Sequence, residues 1–577
     1  MFEFIFRKIK RAVRAIDMKI ERSKYGYIEK LPKEIQYFEG GMYDAIYEAS
    51  CKWPHNIAID YFNTSITYRE LVKKINRVAA ALKGLGADRG DRITVCMPNT
   101  PEAVYMFYAI NEIGAVANMI HPLSSEKEIE DYLKRSHSKF MLCIDLAYPK
   151  VKSIMKDTEL EYVIVVSVTH SMNFTTRLAY YLTKGRRNYP RRNKKVLTWD
   201  KFLNRADNFI GNPHARINSN DLAVILYSGG TTGKPKGVML SNANFNTQAL
   251  GARYLVPELL KSRYSMLTFL PNFHAFGLGI CTHIPLYCGM RVVLIPQFNA
   301  KKFKKYLLKY KINIIVGVPT VFEYFVKLKF GKKDLRFVKG VVSGGDMISQ
   351  ALKQEVNTLL RTHGSKAVLE NGYGLTEATG GMVFSTVNVA SDRGVIGFPL
   401  PDSEVIICDP KTNQPLPIGQ SGEILVRGHT IMRGYLNDKK ETEAAFTKIK
   451  NKKFLKTGDI GYLDERGAVY FKGRLKRMII TNGYNVYPSN VEEVTLKSKL
   501  VESCACIGVP DNLRGESVKI FIVPKENASE RAIKKDLNKI YRQYLAKFET
   551  PRIISFTDSL PKTKLGKIDF IALKDYS

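Results

Sequence analysis

Short apolar runs alternate with segments of helical period along most of this chain. Two of the helical segments are "YRELVKKINRVAAALKGLG" and "AKKFKKYLLKYK". Strand and helix alternating at this spacing predict α/β layers with mostly parallel, buried strands. Ligands of such sheets bind at the carboxyl ends of the strands. The apolar runs are "RITVCM" (92–97), "FMLCID" (140–145), "YVIVVSV" (162–168), "RVVLIP" (291–296), "INIIVGV" (312–318) and "GVVSGG" (340–345).

The pattern changes in the last third of the chain. From Pro399 to Phe471, short strands with Gly and Pro turns predict a β-rich subdomain. After "FKGRLKR", the final hundred or so residues read as a compact α+β module containing the helix "SERAIKKDLNKIYRQYLAKF". With 577 residues, 45% of them hydrophobic, the chain can bury more than one core. The predicted division is a basic segment 1–40, a large domain 41–473 whose β-rich part is about 399–473, and a small domain 474–577.

Charge and cysteine usage narrow the class of protein only partly. Lysine and arginine number 89 against 55 acidic residues, a formal charge of +34. Such a field attracts nucleotides, coenzyme phosphates, anionic lipids and nucleic acids alike. The eight scattered cysteines form no CxxC pair, which predicts a reduced, cytoplasmic protein. No apolar stretch approaches the ~18 residues needed to span a bilayer, so neither secretion nor membrane spanning is expected.

Two basic regions suggest peripheral contact with an anionic membrane on its cytoplasmic face. In "MFEFIFRKIKRAVRAIDMKI", apolar side chains fall on one helical face and cations crowd the rest. Between Arg177 and Lys195, eight basic residues and no acid are interleaved with three tyrosines. Either region can contact lipid headgroups; the alternatives are a terminal helix packed on the body and a solvated loop. No RNA-binding signature accompanies them, so no nucleic acid partner is expected.

The stretch "LYSGGTTGKPKGVML", from Leu226 to Leu240, combines glycines, hydroxyls and lysines after an apolar run. It is not a P-loop, because Lys234 is followed by Pro235, which has no amide hydrogen and disfavours helix before it. Its glycines allow backbone amides to approach an anion closely, and its lysines supply charge. The alternative is a solvated hairpin connection between the strands "AVILY" and "GVML".

Four later stretches accompany this loop. They are "NGYGLTEATGG" (371–381), "LKTGDIGYLDERG" (455–467), "FKGRLKRMIITNGYNVYPSNVEE" (471–493) and "LPKTKLGKIDF" (560–570). In this order and at these separations, the five motifs resemble the adenylate-forming superfamily of acyl-CoA synthetases, peptide-synthetase adenylation domains and luciferases. The resemblance covers roughly residues 40 to 570. It implies a layered α/β large domain and a small, mobile C-terminal α+β domain.

The resemblance implies a reaction in two halves. A carboxylate attacks the α-phosphate of ATP to give an acyl-adenylate and pyrophosphate, and a thiol then displaces AMP. Because two anions must meet, alignment and charge neutralisation carry most of the catalysis. The implied small molecules are a carboxylic acid, ATP, Mg²⁺ and CoA.

The resemblance also assigns nucleotide-binding residues. Glu377 is expected to bind magnesium, with Thr231 adding a hydroxyl. Asp459 would accept hydrogen bonds from both ribose hydroxyls, and Arg474 would contact ribose or phosphate. The phosphate loop comprises Ser228, Gly229, Gly230, Thr231, Thr232, Gly233, Lys234 and Lys236. The residues expected around adenine and the α-phosphate are Gly344, Gly345, Asn371, Gly372, Tyr373, Gly374 and Thr376, with Tyr373 stacking on the base.

Four further residues are assigned to catalysis and domain movement. Lys567 matches the lysine that bridges carboxylate and α-phosphate during adenylation, and Lys476 occupies the hinge between the domains. Gly483 would line the passage for pantetheine. His274 would orient or gate the acid, since a carboxylate is already ionised at pH 7; a packed core histidine is the alternative. Arg477 departs from the acidic residues common at its position in relatives.

The acid is expected to be a medium- or long-chain fatty acid. The segments "NFHAFGLGICTHIPL" and "VGVPTVFEYF" are apolar and aromatic, with no arginine or aspartate to bind an amine. The excess of cations suits the phosphates of CoA. The alternatives are an aryl or short-chain acid–CoA ligase, an enzyme that loads an acyl carrier protein, and a non-catalytic nucleotide-binding scaffold at a membrane. A monomer or homodimer is expected.

Overall fold

The computed structural model describes residues 36–185, 194–228, 235–385, 394–401, 403–482, 484–511, 513–562 and 568–575. The predicted amphipathic segment 1–20 lies outside them, as does 186–193 of the second basic region. The helices are α1 Met42–Lys52, α2 Tyr68–Gly84, α3 Pro101–Glu112, α4 Glu126–Ser136, α5 Tyr148–Ile154, α6 Phe174–Tyr180, α7 Trp199–Leu203, α8 Asn242–Leu255, α9 Ile284–Tyr287, α10 Ala300–Tyr310, α11 Pro319–Val326, α12 Gln350–Thr362, α13 Lys439–Ala444, α14 Pro488–Thr495, α15 Glu530–Tyr544 and α16 Phe570–Asp575.

Local sequence signals explain where helices begin. The side chain of Thr67 accepts from the backbone N–H of Glu70, whose carboxylate in turn accepts from the backbone N–H of Thr67 at 2.8 Å. This reciprocal cap satisfies two amides that the first turn of α2 leaves open. Ser125 and Glu128 cap α4 in the same way. None of the described helices is long and apolar enough to cross a bilayer.

One sheet carries the strand before the glycine-rich loop. Its order is β19-β9-β8-β4-β3-β5-β6-β7, and the pairs from β8 through β7 are parallel. The carboxyl ends of these strands therefore meet at one edge. The strands are β3 Arg92–Cys96, β4 Val116–Met119, β5 Phe140–Ile144, β6 Tyr162–Val166, β7 Val196–Thr198, β8 Leu222–Ser228, β9 Lys236–Ser241 and β19 Gly434–Tyr435.

A larger sheet joins the α/β part to the β-rich part. Its order is β17-β18-β21-β22-β16-β15-β14-β13-β12-β10-β11-β1-β2, with β20 paired to β21. The pairs from β11 to β14 are parallel, and those from β14 to β18 are antiparallel. The strands are β1 Ile57–Tyr61, β2 Thr64–Thr67, β10 Ser265–Thr268, β11 Arg291–Leu294, β12 Ile314–Gly317, β13 Gly340–Gly344, β14 Leu369–Tyr373, β15 Val383–Phe384, β16 Val395–Pro399, β17 Glu404–Cys408, β18 Gly422–Arg427, β20 Phe446–Ile449, β21 Lys452–Leu463 and β22 Val469–Arg474.

The C-terminal part has its own sheet and core. Strand order is β24-β23-β26-β25, with β27 parallel to β26. Helices α14 and α15 cover this sheet through buried residues such as Val491, Ile533 and Leu537. The strands are β23 Ile479–Thr481, β24 Tyr484–Val486, β25 Val501–Asp511, β26 Gly515–Pro524 and β27 Ile553–Phe556. The predicted fold class, a large layered α/β domain followed by a small α+β domain, is confirmed.

Candidate active site

The strands on either side of the glycine-rich loop form an antiparallel pair, with Ser228 opposite Lys236. The side chain of Lys236 forms an ion pair with Glu441. The same ammonium lies 4.9 Å from the ring centroid of Tyr435. The predicted phosphate residues Gly229, Gly230, Thr231, Thr232, Gly233 and Lys234 lie outside the described residues. The pairing of the flanking strands is compatible with both interpretations of the loop.

The predicted adenine-binding residues meet at the carboxyl ends of β13 and β14. These strands run parallel, with Gly344 opposite Gly372. A Cβ on Gly344 would lie 2.9 Å from the Phe276 ring, and one on Gly374 would lie 2.5 Å from the Cα of Gly381. The backbone approach at Gly374 excludes any larger residue, and a side chain at Gly344 would have to displace the Phe276 ring. Gly345 adopts φ +79°, the left-handed region that favours glycine.

The neighbouring strands β14 and β16 are linked by a side chain predicted to face the base. The amide of Asn371 donates to the backbone carbonyl of Val395 at 2.9 Å. Gly372 and Tyr373 of the same strand pair with Phe384 and Val383 of β15. These contacts fix the position of the carboxyl end of β14 relative to β15 and β16. Thr376 follows in a short 3-10 turn, Thr376–Ala378.

Asp459 is a buried carboxylate held by two other predicted site residues. The hydroxyl of Tyr373 donates to Asp459 Oδ2 at 2.8 Å. The other carboxylate oxygen, Oδ1, lies 3.5 Å from Arg474 Nε. Asp459 and Arg474 are directly opposite each other on β21 and β22. Burial, and then the carboxylate itself, raise the pKa of Tyr373 well above 10. The hydroxyl therefore stays protonated and fixes the carboxylate in one orientation.

Glu377 lies in the 3-10 turn after β14 and is held by a residue of another sheet. The hydroxyl of Tyr435 donates to Glu377 Oε1 at 3.0 Å, and the backbone N–H of Met432 donates to the Glu377 carbonyl at 2.8 Å. Burial, and then the Glu377 charge, raise the pKa of Tyr435 above its ordinary value of 10. Because Lys236 lies over the same ring, the phosphate-loop strand and Glu377 are connected through one tyrosine.

The residues present fit a magnesium ion bound together with ATP. Among the described residues, no group of three or more His, Cys, Asp or Glu side chains is placed to hold a metal ion. Magnesium keeps most of its shell as water and substrate phosphate and takes one or two protein carboxylates. Glu377 has one oxygen held by Tyr435 and a second carboxylate oxygen for the ion, which would screen the charge of the phosphates.

His274 lies in a segment packed against both elements that are predicted to bind the nucleotide. Its ring centroid is 4.8 Å from that of Phe273. Two residues further on, Phe276 contacts the Gly344 position. A Cβ on Gly380, in the motif that contains Glu377, would lie 2.5 Å from the backbone carbon of Ala275. The structure therefore brings His274 into the same neighbourhood as Gly344 and the "GYGLTEATGG" turn.

Lys476 lies in a 3-10 turn, Leu475–Arg477, between β22 and β23. Its neighbour Arg477 points into the C-terminal part, where its guanidinium is 2.6 Å from Glu492 Oε1 and 3.5 Å from the ring centroid of Phe570. Glu492 Oε1 also accepts from the backbone N–H of Cys506 at 2.9 Å. Arg477, which departs from the acidic residues common at its position in relatives, thus forms an ion pair with Glu492 of the same C-terminal part. Gly483 and Lys567 lie outside the described residues.

Sequence reasoning missed Tyr435, Glu441 and Glu492. Tyr435 and Glu441 contact the predicted site residues Glu377 and Lys236, and Glu492 contacts Arg477 beside the predicted hinge. Each partner lies in another element, so no local spacing reveals the contact. Tyr435 is 58 positions from Glu377, and Glu441 is 205 from Lys236. The only local signal is the buried Gly-Tyr pair that forms β19, which pairs with β9 beside the glycine-rich loop.

A glycine-lined slot at the strand ends, the buried carboxylate of Asp459 beside it and the carboxylate of Glu377 fit the binding of an adenine nucleotide with magnesium. The class is an AMP-forming acid–CoA ligase of the acyl-CoA synthetase type, which uses ATP, Mg²⁺ and CoA. Residues 47–436 match the model of the AMP-binding enzyme family and residues 490–567 that of the AMP-binding enzyme C-terminal domain. The chain belongs to the AMP-binding enzyme family.

Individual relatives match over nearly their whole length. The chain is 29% identical to a long-chain-fatty-acid–CoA ligase of Bacillus subtilis (strain 168), covering 94% of this chain and 95% of the relative. It is 30% identical to a long-chain-fatty-acid–CoA ligase of Haemophilus influenzae, covering 88% and 90%. The fold is similar to ATP-bound MatB from Rhodopseudomonas palustris, with TM-score 0.79, 24% identity and coverage of 93% and 99%.

Proposed function

We propose that the acid activated by this enzyme is a medium- or long-chain fatty acid, and that free CoA is the acceptor thiol. The near full-length similarity to ligases named for long-chain fatty acids carries this proposal. The segments expected to line the acyl site support it, since Leu278, Ile280 and Phe322 are buried and apolar. An apolar lining favours a hydrocarbon chain over a substrate that carries charge. The acidic side chain of α11, Glu323, is exposed.

The proposed roles follow from the chemistry of each held group. Asp459, fixed by Tyr373, would accept both ribose hydroxyls, and Glu377 would bring the magnesium to the phosphates. Lys567 would lie between the acid and the α-phosphate while the carboxylate oxygen bonds to phosphorus and pyrophosphate leaves. In the second half, the CoA sulfur bonds to the acyl carbon, AMP leaves and the thiol proton is released.

The two halves of the reaction place different groups beside the same adenylate, so we propose a rotation about Lys476. The domains would be 41–473, with its β-rich part at about 399–473, and 474–577. Two features support this division. The 3-10 turn around Lys476 separates β22 from β23, and the following sheet has a core of its own. A short turn between separately packed bodies is where a few backbone dihedrals can absorb a rotation.

Acid-dependent exchange of pyrophosphate into ATP tests the first half-reaction, and thioester formation with CoA tests the second. A series of acids of increasing chain length is expected to give a maximum at medium or long chains. A maximum at aromatic or short acids would favour the first alternative ligase. Thioester formation only with a carrier protein would favour the second. If none of the acids supports exchange, the non-catalytic scaffold would be favoured.

We also propose a cytoplasmic enzyme in peripheral contact with an anionic membrane. Helix α6 and the π-helical turn that follows it, Tyr181–Gly185, support this, because Phe174, Leu178 and Leu182 follow helical spacing and are 74%, 45% and 68% exposed. Apolar side chains exposed this way beside a run of cations are typical of surfaces that enter the headgroup region. Together with the basic segment 1–20, this face would bring the enzyme to the layer where long-chain acids partition.

Vesicle binding tests the membrane contact separately from the chemistry. Deleting residues 1–24, or the double substitution Leu178→Ser and Leu182→Ser, is expected to weaken binding to vesicles containing anionic lipid more than activity on a soluble acid. Leu513→Ser is the matched control, because Leu513 is 87% exposed but lies in the small domain. Unchanged binding in both variants would contradict the proposed contact.

A further inference from the structure

A buried carboxyl on β14 has no hydrogen-bond partner among the described residues. Glu370 is 5% exposed, and neither oxygen of its carboxyl accepts a hydrogen bond from them. Burial raises the pKa of Glu370, and the nearby Ser385 hydroxyl and Lys353 ammonium lower it again. Ser385 is 2% exposed, and its hydroxyl makes no hydrogen bond to a described residue either. Because buried polar groups nearly always have a partner, this carboxyl indicates a ligand that the fold itself does not supply.

The strand register places Glu370 on the face of the sheet that carries Phe276. Glu370 lies opposite Val342 of β13, and Gly372, two residues further on, lies opposite Gly344. Residues two apart on a strand share a face, and so do the paired residues of parallel strands. A Cβ on Gly344 would lie 2.9 Å from the Phe276 ring. Phe276 belongs to the segment "NFHAFGLGICTHIPL", which is expected to line the acyl site, so Glu370 is on the acyl side of the sheet.

The glycine between Glu370 and the carboxyl end of β14 leaves space on this face. A Cβ on Gly372 would meet no atom closer than 3.5 Å, an ordinary contact with Val342 Cγ1. One carbon atom therefore fits beside Gly372 without displacing the protein. Glu370 lies two residues, about 7 Å, further from the predicted α-phosphate position along the strand. An acyl chain that starts at that position and passes Gly372 would reach Glu370 a few carbons from its carboxylate.

We propose that Glu370 forms a hydrogen bond with a hydroxyl on the acyl chain, so that the preferred substrate is a fatty acid hydroxylated a few carbons from its carboxylate. This role rests on the proposed function, in which the acid is a fatty acid. A hydroxyl suits Glu370 in either protonation state, because it can donate to the carboxylate and accept from the carboxyl. An ammonium fits less well, because a second charge would lose its water on a face lined by Val342, Phe276 and glycines.

The test measures acid-dependent exchange of pyrophosphate into ATP with fatty acids of one chain length that carry a hydroxyl at successive carbons. For the wild-type enzyme, one hydroxyl position is expected to raise kcat/KM about tenfold over the unsubstituted acid, the effect of one hydrogen bond to a charged group. Glu370→Leu, which cannot form this bond, is expected to lower the ratio to one or below. Glu355→Leu, which removes an exposed acid of α12, is the matched control and should keep the ratio.

A second variant, Glu370→Gln, separates recognition of the hydroxyl from support of the fold. Its amide can still bond to a hydroxyl but without charge, so the ratio is expected to fall about threefold and to favour the same hydroxyl position. The ratio is measured within each variant, so a loss of folded enzyme cancels. A residue that only supports the fold would leave the ratio as it is in the wild type. If Glu370→Leu does not fold, the ratio in Glu370→Gln decides, and an unchanged value would contradict the proposal.

Failure of this role can be told apart from failure of the proposed function. A wild-type enzyme that uses the unsubstituted fatty acid best, whatever the hydroxyl position, would overturn the role of Glu370 and leave the fatty acid activity in place. An unchanged ratio in Glu370→Leu would do the same. A preference for an amino-substituted acid of the same length would overturn the hydroxyl as the bound group. Exchange with aromatic or short acids alone would overturn the proposed function, and the role of Glu370 with it.

Discussion

Asp459 and Arg474 face each other across one pair of strands, yet their side chains are 5% and 60% exposed. The same contrast separates Asp459 and Glu377 of the predicted nucleotide site from Lys476 at the predicted hinge. Asp459 and Glu377 are each held by a tyrosine hydroxyl, whereas Lys476 lies exposed in the 3-10 turn Leu475–Arg477. Residues bound to fixed partners are positioned before ATP arrives. Exposed groups can take different positions in the two half-reactions.

The largest effect is expected for a small-domain residue required in only one half-reaction. Lys567→Ala should lower the rate of adenylate formation about 10²- to 10³-fold, the cost of removing one charge-stabilising donor. Thioester formation from supplied acyl-adenylate should remain largely intact. Rapid-mixing assays of each half-reaction measure the two rates. An equal loss of rate in both half-reactions would contradict this prediction, because Lys567 would then be needed in both orientations of the small domain.

The next effect concerns the ion pair that follows the hinge. Arg477→Gln leaves the Glu492 carboxylate, 17% exposed, without its guanidinium, which should cost up to about 3 kcal/mol of small-domain stability. Burial raises the pKa of Glu492, and Arg477 lowers it again, so the variant's carboxyl should bind its proton more tightly when folded. Stability is then lost as the pH rises above the unfolded value of about 4.5.

The deficit of Arg477→Gln should therefore be larger at pH 8 than at pH 5. Hydrogen exchange of the β25 and β26 amides measures it locally. Arg531→Gln, a charge loss at an exposed position of α15, is the control. A deficit independent of pH would show that the guanidinium acts through its contact with Phe570 rather than through the carboxylate.

A moderate effect is expected for Asp459, which is held by a fixed partner in the large domain. Asp459→Asn keeps the shape of the side chain but replaces charge-assisted bonds to ribose with neutral ones. The KM for ATP should rise about tenfold, while the KM for the acid stays close to its original value. Asp464→Asn, in the same β-rich region and bonded to Arg466, should change neither. Equal changes in both constants would indicate a general distortion of the sheet.

The smallest effect is expected for a residue that acts through another. Tyr435→Phe removes one hydrogen bond to Glu377 and should raise the magnesium concentration needed for half-maximal rate about threefold. Tyr470→Phe, whose hydroxyl contacts Arg466 and Asp464, is the matched control. If the magnesium requirement is unchanged, Glu377 does not depend on this tyrosine for its position.

The sequence predicted much of the fold because its parallel strands are buried on both faces and read as unbroken apolar runs. The run 162–168 becomes β6, Tyr162–Val166, and the run 312–318 becomes β12, Ile314–Gly317. The ends differ because strand limits depend on which neighbours pair. The continuity of the β-rich strands with the parallel ones was not predicted, since it depends on the two-residue strand β15, too short to give a periodic signal.

The site was predictable where motifs carry the chemistry and not where distant partners hold it. Tyr373, Glu377 and Asp459 each lie in a glycine-bearing stretch whose pattern resembles a known family. The hydroxyl of Tyr435 and the carboxylate of Glu492 are supplied by other elements, and only the tertiary fold brings them near.

The short strands β15 and β16 have a consequence for how this chain tolerates change in length. A Cβ on Gly397 would lie 2.0 Å from the backbone of Phe384, and Gly397 has φ +119°, so the two strands touch without any side chain between them. One residue added or removed within either strand would displace Asp459 from the glycines predicted to contact adenine by about 3.3 Å and reverse the facing of every side chain beyond it. Insertions that preserve nucleotide affinity should therefore be confined to the connections outside these two strands.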